Sequence, residues 1–94
     1  MTLDDLRDLI RIRINDRKRA YGFTFTKENL AAQAVLADLA QYCRANSTTY
    51  SADAREHAFR EGRKDVWHRI QKYLNLSEAE VDRLVERALS ERKL

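Results

Sequence analysis

A chain of 94 residues that holds no proline, and glycine only at Gly22 and Gly62, has very few points at which a helix must stop. Proline removes a backbone donor and clashes with the preceding turn, and glycine is the residue most costly to order. Their scarcity favours long helices, and the apolar residues recur accordingly at helical spacing. The clearest case is AFREGRKDVWHRIQKYL, from Ala58 to Leu74. At about 100° per residue, Phe59, Gly62, Val66, Ile70 and Tyr73 share one stripe, with Trp67 and Leu74 at its edge. A glycine on such a face costs roughly 1 kcal/mol against alanine. The sequence therefore predicts a close neighbour over Gly62.

Thr2 suits the cap of a first helix, with Asp4 and Asp5 in its opening turn, where acids complement the helix dipole. Leu3, Leu6, Leu9, Ile10 and Ile14 form its apolar face. The run from Ile10 to Ile14 alternates like a strand, but no second strand is available to pair with it, so helix is the expectation. Arg17-Lys18-Arg19 closes that helix at its negative pole. Tyr21 to Thr26 reads as a linker, with Phe23 and Phe25 plugging the core from a loop. Thr26 then caps a second helix running to about Arg44. Its apolar set (Ala31, Ala32, Val35, Leu36, Leu39, Tyr42, Cys43), with further alanines around the circumference, predicts contact on two sides.

Asn46 to Tyr50 is a polar loop of residues that compete with helical hydrogen bonding. Ser51 or Asp53 starts the third helix, with Asp53 and Glu56 at capping-box spacing. Asn75 ends it, since an amide residue tolerates the left-handed conformation. The fourth helix has the strongest start signal: Ser77 with Glu80, and Leu76 with Val81 as a hydrophobic staple. Its narrow stripe of Val81, Leu84, Val85, Ala88 and Leu89 suits docking on one side only, on its own core or on another subunit. The expected fold is all-α, a small bundle of about four helices built on a central antiparallel helical hairpin. One domain covers 1–94, with the hairpin over 21–74 and flanking helices over 1–20 and 77–94.

Several functions lose support from composition. No run approaches the roughly 18 apolar residues a membrane span needs, and Asp4 and Asp5 with no apolar stretch behind them argue against a secretory signal. A single cysteine, Cys43, excludes an intrachain disulfide and suits a reducing compartment. The net charge of +3 is mild, and basic residues are interleaved with acids. A dedicated nucleic-acid binder concentrates its positive charge more strongly.

His57, Glu61, Lys64 and His68 share the polar side of the third helix, which invites a metal reading. The two histidines lie about 16 Å apart along a helix and cannot share one ion. Cys43 has no local base and stands at the edge of an apolar face, where inert burial is usual. With no phosphate-cradling loop and no zinc spacing, the chain is expected to be non-enzymatic and to need no cofactor or metal. Arg63 falls on the apolar stripe. Either it pairs with an acid such as Asp38 across a helix interface, or Arg60, Arg63, Lys64 and Arg69 form a docking surface. Arg17, Lys18 and Arg19 are either a charged helix end or a contact for phosphate or an acidic partner.

With these residues laid out, the chain resembles a small bacteriophage domain family, typified by the nineteenth Bbp protein of a Bordetella phage. The resemblance covers roughly Tyr21 to Leu74. It rests on Val35-Leu36-Ala37-Asp38-Leu39 running into Tyr42-Cys43-Arg44-Ala45-Asn46, then Ser47-Thr48-Thr49-Tyr50, and finally Arg60-Glu61-Gly62-Arg63-Lys64-Asp65-Val66-Trp67 with Arg69-Ile70. The chain departs from the family at Ser51-Ala52-Asp53, where a proline-containing segment is expected. The resemblance implies a phage-encoded helical protein from the head and tail assembly region, and it carries over no catalytic residue. The expected function is a virion structural or assembly protein, with other phage structural proteins or a second copy of itself as partners. It would act in the host cytoplasm during assembly and then in the virion, away from membranes. A nucleic-acid-binding or regulatory protein is the alternative, and inhibition of a host protein is a third reading.

Overall fold

The computed structural model describes residues 2–92, with side-chain surroundings for all of these except 9–15 and 92. Four helices make up the described chain: α1 (Leu3–Thr24), α2 (Leu30–Tyr42), α3 (Ala54–Leu74) and α4 (Glu78–Arg92). No strand occurs among the described residues. The all-α class follows the sequence expectation.

The ends of these helices are set by local chemistry. Thr2 and Asp5 close a reciprocal capping box at the start of α1, which holds the Asp5 carboxyl below its usual range through the Thr2 backbone N–H. Ser77 and Glu80 do the same for α4, with the Glu80 backbone N–H donating to the Ser77 hydroxyl at 3.2 Å. The Asp53 carboxylate accepts from the backbone of Arg55 and Glu56 at 2.9 and 3.0 Å, which starts α3. At the C-termini, α2 and α3 finish alike. Arg44 and Asn75 take left-handed φ values of 58° and 54°. The amides that follow reach back to the orphan carbonyls, Ala45 to Ala40 at 2.9 Å and Leu76 to Gln71 at 3.2 Å.

Three sequence expectations fail between α1 and α2. The predicted linker from Tyr21 to Thr26 is helical as far as Thr24, so Arg17-Lys18-Arg19 lies inside α1 rather than at its end. Tertiary contact outweighs the propensity cost of Gly22 here, because Tyr21 stacks on Tyr73 of α3 with ring centroids 4.7 Å apart. Phe23 is 80% exposed and plugs nothing, while Phe25 packs against the core. The cap of α2 is Asn29, whose side chain accepts from the Ala32 amide at 3.1 Å. Thr26 offers its carbonyl to Gln33 instead.

The core gathers Leu36, Ala40 and Cys43 from α2, Trp67 and Ile70 from α3, and Val81 and Val85 from α4. Helix α2 packs most extensively on α4, while α3 receives α1 and meets α2 along a narrower line. The fully buried Ala37 and Ala40 carry no bulk to hold α4 away. Helix α4 thus docks its stripe on its own core. The close neighbour expected over Gly62 is absent: a Cβ built there meets nothing within 4 Å. The buried face of α3 is rotated toward Trp67, Ile70 and Leu74, which leaves Phe59 and Val66 more than half exposed. The molecule extends 54 Å in its longest direction, with a radius of gyration of 16.5 Å. A compact chain of this length has a radius of about 12 Å.

Candidate functional site

The polar face of α3 is a clamp for the α2–α3 loop. Lys64 donates to the Ser47 carbonyl at 2.9 Å, and Arg60 to the Tyr50 carbonyl at 2.9 Å while pairing with Glu56 at 3.1 Å. The His57 Nδ1 lies 3.1 Å from the Thr49 carbonyl oxygen, so the tautomer protonated at Nδ1 donates to it. The Thr49 hydroxyl donates to the Glu61 carboxylate. From the other side, Arg44 Nε donates to the Thr48 carbonyl at 2.8 Å, and Asn46 ties the loop to Asp82 of α4 at 3.1 Å. Two of the expected partner-contact cations, Arg60 and Lys64, therefore hold loop carbonyls. His57 is likewise engaged, and no group of three metal-ligating side chains occurs among the described residues.

Arg63 does something different. Its guanidinium carbon sits 4.6 Å from the Phe59 ring centroid and 4.9 Å from that of Tyr42, bridging α3 to α2. The expected ion pair with Asp38 is not formed, and the ion pairs among the described residues are Arg60–Glu56 and Arg87–Glu91. Guanidinium is weakly hydrated and planar, so two flanking rings compete well with a carboxylate. Its Nε is enclosed without an acceptor. Beneath it, burial pushes the Cys43 thiol up, partly countered by the Arg63 charge and reinforced by Asp38.

The surroundings of this arginine are apolar and open. Val35 lies two turns before Tyr42, and Val66 two turns after Phe59, on the same helix faces. All four are between 50% and 56% exposed. An arginine held between aromatic rings, with aliphatic flanks, is the composition of the energetic centre of protein interfaces. The sequence pattern does contain this patch. It was obscured because a stripe of Phe59, Val66 and Ile70 reads as core until α4 is seen to occupy the place that α3 would have filled.

A second convergence joins α1 to α3. Arg17 Nη1 donates to the Tyr73 hydroxyl at 3.5 Å, and the Arg69 guanidinium lies 5.5 Å from the same ring. The Arg17 hydrogen bond lowers the Tyr73 phenol from its usual range, aided by the charges of Arg69, Arg17 and Lys72. Arg17 and Arg69 are thus brought together from distant parts of the chain. Lys18 and Arg19 are exposed on other sides of α1, as successive helical positions must be.

The model of the family described as Bbp19-like phage protein matches residues 21–86. The match runs beyond the 21–74 resemblance to take in much of α4, the helix that closes the core and accepts Asn46. No curated protein and no solved structure matches the chain. Among the described residues, no helix is long and apolar enough to cross a membrane. With well over half of its length matched, the chain belongs to the Bbp19-like family of phage proteins.

Proposed function

We propose that this phage protein is a non-catalytic assembly component of the virion that docks another structural protein of the same particle on its α2–α3 face. The observation that carries the reading is the Arg63 guanidinium held between Tyr42 and Phe59 at the centre of half-exposed apolar side chains. A residue kept in place by two rings loses little entropy when it is bound. The complementary partner presents a carboxylate or carbonyl between apolar side chains, because Arg63 has donors and no ion-pair partner among the described residues. Such a protein works in the host cytoplasm during assembly and ends in the particle.

The test is made in the parent phage. A photoreactive residue at Val66 is expected to crosslink one defined structural protein in purified particles. Phe59→Asp is expected to abolish that crosslink while leaving the melting temperature of the isolated protein within a few degrees. Absence of the protein from both virions and assembly intermediates would sink the reading. A second reading, nucleic-acid binding, is favoured by Arg17, Arg69 and Lys72 around Tyr73. Affinity for duplex DNA that falls steeply with salt supports it, and salt-insensitive or absent binding removes it.

A further inference from the structure

The apolar side of α3 does not stop at Val66. Phe59, Arg63, Val66 and Ile70 follow one another at intervals of three and four residues, so they line one side of the helix. Phe59 and Val66 are more than half exposed and Arg63 is half-buried, whereas Ile70 forms the floor of a recess. The walls of that recess come from the C-terminal end of α1: Ala20, Tyr21, Thr24 and Phe25. It holds about 300 Å³, and its lining is aliphatic and aromatic apart from the hydroxyls of Tyr21 and Thr24. That is the lower end of the range for small-molecule cavities, and it suits one large apolar side chain. Arg63 and Ile70 are seven residues apart, about 10 Å along α3.

The chemistry of this line limits what can lie along it. The described residues contain no strand edge to which an extended segment could add, so a bound segment must satisfy its own backbone, as a helix does. Carbonyls inside a helix are already used, so the acceptor that reaches the Arg63 guanidinium is a side-chain carboxylate. Asp38 does not supply it, since the ion pairs among the described residues lie elsewhere. Beyond the recess the line is basic again, because Arg17 and Arg69 converge on Tyr73, the ring that Tyr21 covers. Taking the α2–α3 face as the docking face read above, we infer that the bound segment of the partner is an acidic amphipathic helix. One of its carboxylates meets Arg63, and a large apolar side chain seven residues away seats between α1 and Ile70. Three turns cover the line from Phe59 to Ile70, about 16 Å, a length of helix that gains its stability from packing.

Photoreactive residues placed singly at Val66 and at Thr24 test this in purified particles of the parent phage. Both are expected to join one segment of one structural protein, at sites within two turns of each other, and the joined peptides give its sequence. A synthetic peptide of that segment is then titrated onto the full chain. Ala20→Phe, which fills the recess, is expected to weaken binding roughly tenfold with the melting temperature of the chain unchanged; Thr24→Phe fills the same recess from the next turn. Arg63→Met is expected to weaken binding by a similar factor, and to lose that effect when the acid of the peptide is replaced by its amide. A Val66 crosslink with none at Thr24, or with Thr24 joined to a distant part of the partner, overturns the helix and leaves the docking reading standing. So does a segment without an acid, a peptide that fails to bind at roughly 1 mM, or one indifferent to both recess-filling variants. No crosslink from either site overturns both.

Discussion

Trp67 is the largest side chain that the fold encloses completely, and its indole Nε1 has no hydrogen-bond partner. Two terms therefore oppose each other at this residue. The ring supplies more apolar burial than any other core side chain, while an unsatisfied buried donor costs about 1–3 kcal/mol. Trp67→Ala loses the first term and leaves a cavity, an expected loss of about 3–5 kcal/mol. Trp67→Phe sheds the orphan donor along with part of the ring, so its net loss is expected below about 1.5 kcal/mol. Urea denaturation followed by far-ultraviolet dichroism measures both. A phenylalanine variant as damaged as the alanine variant would show that the indole N–H is satisfied. Arg63 is the counterpart at the surface. It too carries an enclosed nitrogen without an acceptor, yet its charge lies between Tyr42 and Phe59 rather than on Asp38. Sequence spacing placed Arg63 on an apolar stripe correctly. It could not decide between a carboxylate and two rings as the neighbour, because both lie within reach of one long side chain.

At the scale of the element, α3 keeps a glycine that its packing does not require. No atom lies within 4 Å of a Cβ at Gly62, so the usual helix penalty has no compensation inside this chain. Gly62→Ala is expected to stabilise the protein by about 1 kcal/mol, a rise of roughly 4–8 °C in melting temperature for a domain of this size. Thermal melts settle it, and a destabilised variant would mean that the backbone there is not free. Gly62 borders the face that holds Phe59 and Val66, and the space beside it is open. The caps of α3 and α4 and the left-handed Asn75 were legible beforehand, because short-range hydrogen bonding fixes them from a few residues. The boundary between α1 and α2 was not. Gly22 and the cation run are real stop signals, overruled by a stacking contact between Tyr21 and Tyr73 that lies 52 positions away in sequence.

For the whole molecule, the α2–α3 loop is where the helices are tied together. It closes α2 through Arg44, lies on α3 through Lys64, Arg60 and His57, and reaches α4 through Asn46 and Asp82. The run from Tyr42 to Tyr50 and the run from Arg60 to Trp67, on which the resemblance to the family rests, are the two halves of this one device. All-α architecture was legible because periodicity and missing prolines are local facts. The choice of α4 as the main neighbour of α2 was not, since alanines on every side of α2 leave its partners open. If the loop is released as a unit, its ties do not act independently. Lys64→Met frees the Ser47 carbonyl and Asn46→Ala cuts the tie to Asp82, and each is expected to cost about 0.5–1.5 kcal/mol. The double variant is expected to cost clearly less than their sum, because the first release already forfeits much of what the second contact protects. A double-mutant cycle from urea denaturation reads the coupling directly. Additivity within about 0.3–0.5 kcal/mol would mean that the loop is held by separate contacts, and that the α3 face and the α4 dock answer to different constraints.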